Sequence, residues 1–171
     1  VATKTLPSVG AGRRCGFLPA PAESLLMFET IVVATDGSES VTRAVSVALD
    51  LAERFDAAVH ALSVVDATEV ESSPESVRSE LRDALSTQAD DALEAVTAST
   101  DQPVTTAVRE GRPADEIADY ARAVDADMVA TGTRGRHGEN RFLLGSVAER
   151  VVRTCPVPVL TVRQLSDAEA A

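Results

Sequence analysis

"TIVVATD", residues 30–36, is a short, continuous run rich in β-branched side chains. A strand that is buried on both faces has this pattern, because both sets of alternating side chains then meet apolar partners. Gly37 ends the run, and Ser38 or Ser40 can cap the helix that follows. The stretch therefore predicts an inner strand of a parallel sheet with a helix directly after it.

The rest of the sequence repeats this alternation of strand and helix. Apolar residues recur at helical spacing over 41–55, and further strands are predicted at 58–67, 103–111, 127–132 and 157–163. A polar linker at 68–72 precedes a long helix that opens at Ser73 and Pro74; another helix opens at Pro113, and a short one covers about 146–153. The order predicts an α/β fold with a parallel sheet between two layers of helices.

A ligand site is expected at one edge of this sheet. In doubly wound sheets, ligands bind outside the carboxyl ends of the strands, where the strand order reverses. The first strand ends at Asp36 and the fourth at Gly132. If these two strands are neighbours at the reversal, Asp36 and the loop after Gly132 share one crevice.

That loop, "TGTRGRHGENRFLLGS" (131–146), is basic and rich in glycine in a chain that is otherwise acidic. Glycine lets backbone N–H groups approach an anion without an intervening Cβ, and a helix start at Gly145-Ser146 adds unpaired N–H groups and a positive dipole end. We therefore expect phosphate binding here. The alternative is a solvated loop whose glycines only form turns.

Two familiar phosphate motifs are excluded. A Walker loop needs a lysine, and the only lysine of the chain is Lys4. The dinucleotide fingerprint GxGxxG follows a first strand, whereas this loop follows the fourth and has different spacing.

Charge and composition exclude other classes of partner. The 171 residues include 27 acidic and 16 basic ones, a net charge of -11, so the chain should repel nucleic acid and anionic membranes. No apolar run reaches the roughly 18 residues of a membrane helix. Two cysteines, Cys15 and Cys155, are too few for a disulfide framework. We expect a cytoplasmic protein that binds neither nucleic acid nor membrane.

The basic residues are almost all arginine, and acidic residues are abundant. Dense carboxylates keep a protein solvated in high salt, which screens their repulsion. The composition predicts a halophile, with an acidic mesophile from a GC-rich genome as the alternative.

The chain divides into three parts. Residues 1–26 have prolines, glycines and no sustained period, and are predicted to be a flexible N-terminal extension. Regular elements fill 27–164, one domain. Residues 165–171 are an acidic C-terminal tail.

The glycine spacing leads to a family resemblance. Gly132-x2-Gly135-x9-Gly145-Ser146 is similar to the G-x2-G-x9-G-[ST] ATP motif of the universal stress protein family. "IVVATDGSESVTRAVSVAL" and "GSVAERVVRTCPVPVLTVR" resemble the opening and closing segments of that family. The resemblance covers about residues 27–164. It implies a five-stranded parallel sheet in the order 3-2-1-4-5, a Rossmann-like fold of the adenine nucleotide alpha hydrolase type.

The resemblance also implies a function and a set of binding residues. The chain looks like an ATP-binding member, a nucleotide-dependent regulator in stress responses whose protein partners the sequence does not identify. Asp36 would lie near the adenine and ribose, the Val64 backbone at the adenine edge, and the Ser146 hydroxyl at a phosphate or at the Mg²⁺ of Mg-ATP. The other expected binding residues contact the ribose and phosphates: Thr131, Gly132, Gly135, Gly145 and Val147.

No residue is predicted to be catalytic. The sequence shows no arginine finger, strong base or nucleophile arrangement, and His137 has the pattern of a solvated loop residue, so hydrolysis should be slow at most. One alternative is an enzyme of the related nucleotidyl transferase group, but its HxGH signature is replaced by "TDGSES". Another is a receiver domain or an FMN carrier; a receiver would need a second acid beside Asp36 and a lysine after its last strand.

A homodimer through the last strand, 157–163, is also predicted. In the order 3-2-1-4-5 this strand is at a sheet edge, which suits Pro158 because proline has no N–H. Its apolar side chains invite pairing with a second copy about a two-fold axis, as the resemblance also implies. The alternative is a monomer whose acidic tail shields the edge.

Overall fold

The computed structural model describes residues 28–134 and 144–165. It contains one parallel sheet of five strands, in the order β3-β2-β1-β4-β5, as predicted. The strands are β1 Thr30–Ala34, β2 Ala58–Asp66, β3 Val104–Gly111, β4 Met128–Gly132 and β5 Val159–Val162. All lie within the predicted ranges, and each is shorter than predicted by one or two residues at one end or both.

Five helices connect the strands. They are α1 Glu39–Phe55, α2 Ala67–Ser72, α3 Arg78–Ala98, α4 Pro113–Ala123 and α5 Ser146–Thr154. None of the helices in the described residues is long and apolar enough to cross a bilayer.

Two predictions about the segment after β2 are wrong. Residues 68–72 are not a linker but most of α2, because the Asp66 carboxylate accepts a hydrogen bond from the Thr68 N–H at 2.9 Å and caps the helix. The long helix does not open at Ser73: a short 3₁₀ turn, Glu75–Val77, comes first, and α3 begins at Arg78.

The core has two halves, one on each face of the sheet. Helices α1 and α3 pack on the face that carries Ile31 and Val33, and α4 and α5 pack on the face that carries Val32 and Val129. Ile31, Val32 and Val33 are all fully buried, as expected for a strand covered on both sides. This packing fixes the carboxyl ends of β1 and β4 side by side.

Candidate functional site

A cavity of about 270 Å³ opens at the carboxyl edge of the sheet. It lies where the strand order reverses, between the ends of β1 and β4, which pair up to Ala34 and Thr131. The starts of α4 and α5 and the end of β2 complete its walls. The shared crevice expected from the sequence is therefore present.

Every predicted binding residue within the described residues lines this cavity. They are Asp36, Val64, Thr131, Gly132, Gly145, Ser146 and Val147. Gly135, and with it His137, lies outside the described residues. The cavity brings together residues that are more than 100 positions apart in the sequence.

Part of the cavity lining is apolar. It includes Leu62 and Val65 of β2, Leu85 of α3 and Ile117 of α4. The sequence identified Leu85 and Ile117 only as members of helical apolar faces. The position of a helix over the sheet decides which of its turns extends past the sheet edge. The apolar spacing of the sequence does not give that position. A flat apolar ligand group is well matched to these walls.

The backbone of Val64 faces the cavity. Pairing of β1 with β2 ends at Ala34 and Leu62, and the Thr35 N–H donates to the Leu62 carbonyl at 2.9 Å. Peptide groups two residues apart in a strand point toward the same side. The N–H and C=O of Val64 therefore point toward the space that β1 has left, where a ligand can use one donor and one acceptor.

Two glycines permit close backbone approach on the opposite side. A Cβ on Gly132 would lie 3.1 Å from both the Ser40 and the Arg134 carbonyl oxygens. A Cβ on Gly145 would lie 3.3 Å from the Thr133 carbonyl oxygen. Because neither residue has a side chain, β4 packs directly against α1, and the start of α5 packs against the end of β4.

Helix α5 begins at the cavity with unsatisfied donors. Gly145 is its N-cap residue and supplies no side-chain cap. The Glu149 N–H donates to the Gly145 carbonyl at 2.8 Å, so the N–H groups of Ser146, Val147 and Ala148 have no intrahelical partner. These three residues line the cavity and carry the positive end of the helix dipole. This arrangement suits an anion.

A salt bridge holds α5 against α4. The Arg150 guanidinium contacts both carboxylate oxygens of Asp115, at 2.9 and 3.1 Å, and Asp115 is in the first turn of α4. Both side chains are substantially exposed, so the pair contributes at most about 1 kcal/mol to stability. It nevertheless links the two helix starts that flank the cavity.

Charges are distributed unevenly around the cavity. The carboxylates of Asp66 and Glu69 lie toward α2, beyond the β2 end, while Arg134 lies beside the start of α5. Sequence reasoning missed Asp66 and Glu69 as lining residues because it took this segment for part of a strand and a linker. An anion is favoured at the Arg134 end, and groups that donate hydrogen bonds are favoured at the α2 end.

Residues 35–38 form the first junction, between β1 and α1. Ser38 is the N-cap residue of α1, yet its side chain makes no cap hydrogen bond. Its hydroxyl instead donates to Asp36 Oδ1 at 2.6 Å, and its N–H donates to the same oxygen at 3.0 Å. The expectation that Ser38 or Ser40 caps the helix is wrong for Ser38, because the nearby carboxylate is the stronger acceptor.

Within the described residues, no group of three or more His, Cys, Asp or Glu side chains is placed to hold a metal ion. The polar side chains of the described cavity lining are instead three hydroxyls, three carboxylates and one arginine.

Comparisons with known proteins agree on one family. The family model described as Universal stress protein family matches residues 27–163. A universal stress protein of Methanocaldococcus jannaschii is 37% identical over 142 residues, which are 81% of this chain and 84% of that protein.

Two solved structures extend the comparison. Universal stress protein UspA from Lactobacillus plantarum has a TM-score of 0.68 and 32% identity, over 79% of this chain and 97% of that one. A universal stress protein crystallised in complex with cAMP has a TM-score of 0.58 and 26% identity, over 80% of this chain and 97% of that one.

Proposed function

The chain belongs to the universal stress protein family, and from this premise we propose that it binds ATP with Mg²⁺ in the cavity. Binding makes it a nucleotide-dependent regulator in the response to stress. The observation that carries the proposal is the polarity of the cavity, with apolar walls and the Val64 backbone at one end and the uncapped start of α5 at the other.

At the base end, the adenine ring packs between Leu62, Val65 and Ile117. The N–H and C=O of Val64 match the adjacent acceptor and donor on the edge of adenine. Asp36, at the end of β1, accepts hydrogen bonds from the ribose hydroxyls. A solved structure of a universal stress protein with cAMP supports an adenine nucleotide as the ligand class.

At the phosphate end, the missing side chains of Gly132 and Gly145 let β4, α1 and the start of α5 pack closely, which places the first N–H groups of α5 at the cavity. The N–H groups of Ser146 and Val147 donate to phosphate oxygens at the positive end of α5. The Ser146 hydroxyl bonds a phosphate oxygen or the Mg²⁺ that accompanies it, and Arg134 adds positive charge.

Hydrolysis is slow at most in this proposal. Among the described residues that line the cavity there is no histidine, lysine or cysteine, and the only arginine is Arg134. Fast phosphoryl transfer needs a positioned nucleophile and charge compensation in the transition state. The family match favours a binding protein over the nucleotidyl transferase alternative.

We further propose a homodimer through the last strand, 157–163. Strand β5 is an edge of the sheet, and Val157, Val159 and Leu160 are only half-buried. A second copy paired antiparallel would cover these side chains and satisfy the open strand edge.

The acidic surface supports a protein adapted to high salt. From residue 27 onward, the sequence has 26 acidic residues and 13 arginines. At low ionic strength the repulsion between the excess carboxylates is unscreened. We expect a higher melting temperature in 2 M KCl than in 0.1 M KCl by circular dichroism; equal values would favour the mesophilic alternative.

Competition between nucleotides tests the ligand. A fluorescent ATP analogue is displaced from the full chain by ATP, GTP and cAMP, each measured with and without Mg²⁺. We expect ATP to displace best, and ATP and GTP, but not cAMP, to need Mg²⁺ for full affinity, because cAMP has no polyphosphate. Displacement by GTP as efficient as by ATP would contradict an adenine site, and better displacement by cAMP would reassign the ligand.

A further inference from the structure

Three short polar contacts link the first junction to the end of β4. The Ser38 hydroxyl contacts Asp36 Oδ1 at 2.6 Å and the Ser40 hydroxyl at 2.8 Å. The Ser40 hydroxyl also contacts the Arg134 carbonyl oxygen at 3.2 Å. We call this set the junction network. Asp36 and Arg134 line the cavity, whereas Ser38 and Ser40 do not.

The junction network has fewer protons than contacts. Each serine hydroxyl carries one proton, while a carboxylate and a carbonyl only accept. The Ser38 proton is directed to Asp36, since a charge-assisted bond is the stronger one. The single Ser40 proton is then left with two acceptors, the Ser38 oxygen and the Arg134 carbonyl.

The Arg134 carbonyl belongs to the segment that sets the position of α5. The neighbouring Thr133 donates its N–H to the Val162 carbonyl at 3.1 Å and accepts from the Gly145 N–H at 2.8 Å. Gly145 is the N-cap residue of α5. A bond from Ser40 to Arg134 therefore fastens this segment to α1, at the place where Gly132 brings the two backbones together.

We propose that Ser40 is a positioning residue whose one proton couples the Asp36 side of the cavity to the α5 side. When Ser38 donates strongly to Asp36, the Ser38 oxygen becomes a better acceptor. It then draws the Ser40 proton away from the Arg134 carbonyl. A ligand hydroxyl that donates to Asp36 weakens this pull, so the proton shifts to the Arg134 carbonyl. This last step rests on the proposed function, with the ribose as the donor.

Amide hydrogen exchange on the full chain without nucleotide tests the network by itself. Ser40→Ala should speed exchange at Thr133 and Gly145 about fivefold, the size expected for one lost hydrogen bond. Ser38→Ala should slow exchange at these two amides or leave it unchanged, because the Ser38 oxygen no longer competes for the Ser40 proton. Ser46→Ala is the matched control: its hydroxyl, also in α1, bonds only the Thr42 carbonyl.

The different effects of Ser38→Ala and Ser40→Ala on the exchange rates distinguish a positioning role of Ser40 from a general loosening of α1. Equal acceleration by Ser38→Ala and Ser40→Ala, or no acceleration by Ser40→Ala, would overturn the proposal. Ser40→Thr keeps the hydroxyl and should restore the exchange rates of the parent protein.

Titration with Mg-ATP and with adenosine extends the test to the ligand. Ser40→Ala should weaken Mg-ATP about fivefold and adenosine less than twofold, because only the phosphates depend on the α5 side. An equal loss for both ligands would contradict the coupling. If the parent protein binds neither ligand, the proposed function fails, and the exchange rates alone decide whether the network exists.

Discussion

Two junctions connect a strand to a helix where the strand order of the sheet reverses, and they are built differently. The first joins β1 to α1 in four residues and uses its own side chains, with Asp36 accepting from the N–H and hydroxyl of Ser38. The second, residues 133–145, joins β4 to α5, and Gly145 gives α5 no side-chain cap. Neither helix has a side-chain cap, but Ser146 and Val147 line the cavity whereas Glu39 and Ser40 do not, so the start of α5 is the one suited to hold a ligand.

A charge placed at the second junction gives the largest expected effect. Val147→Glu adds a carboxylate to the first turn of α5, where Val147 is 38% exposed. Like-charge repulsion should weaken Mg-ATP binding by about 2 kcal/mol, roughly thirtyfold in calorimetry. The same carboxylate interacts favourably with the helix dipole, so the melting temperature should not fall.

Val77→Glu is the matched control for this change. Val77 is 41% exposed and does not line the cavity. If both variants lose the same affinity, net charge rather than the second junction is responsible. If neither does, the phosphates do not lie at α5.

A methyl group between α1 and the second junction should have a smaller effect. Gly132→Ala places a Cβ 3.1 Å from two backbone oxygens, that of Ser40 in α1 and that of Arg134 in the second junction, and backbone cannot move aside cheaply. We expect about a tenfold loss of Mg-ATP affinity, about 1.4 kcal/mol, and a lower melting temperature.

Gly111→Ala provides the comparison at another strand end. The Cβ there meets the Glu116 side chain, whose flexible end can turn away. The affinity of Gly111→Ala for Mg-ATP should therefore equal that of the parent protein. Full affinity in Gly132→Ala would show that α1 and the second junction need not be in close contact.

A variant that breaks the predicted dimer tests whether nucleotide binding at the two junctions depends on a second copy of the chain. Val159→Asp should halve the mass in light scattering, because a carboxylate would be buried against its counterpart across the two-fold axis. Affinity for Mg-ATP should change less than twofold, because no residue of β5 is among the described residues that line the cavity. A parent protein that is already monomeric at micromolar concentration would refute the dimer, and circular dichroism verifies that the variant folds.

The fold was predictable because its strongest signals are local. Runs such as residues 31–33 are apolar on both faces, and the helices between them have regular spacing, so the alternation alone indicated a parallel sheet. Strand ends depend on more than local pattern: the sequence predicts strand through residue 36, yet residues 35 and 36 leave the sheet to form the first junction.

The site was predictable only where its residues follow strand ends or glycine spacing. Asp36, Gly132 and Gly145 each met at least one of these conditions and line the cavity. Glu69 and Ile117 did not, because their place at the cavity depends on how α2 and α4 sit over the sheet edge. The junction network was missed for a related reason: the serines were read as helix caps, whereas a carboxylate two residues away competes for the Ser38 hydroxyl.

A crystal structure of the full chain with Mg²⁺ and a non-hydrolysable ATP analogue tests the orientation of the nucleotide most directly. The account predicts phosphate oxygens within hydrogen-bonding distance of the Ser146 and Val147 N–H groups, and the adenine edge against the Val64 backbone. A nucleotide bound elsewhere, or one whose phosphates lie at the Asp66 and Glu69 end, would contradict it.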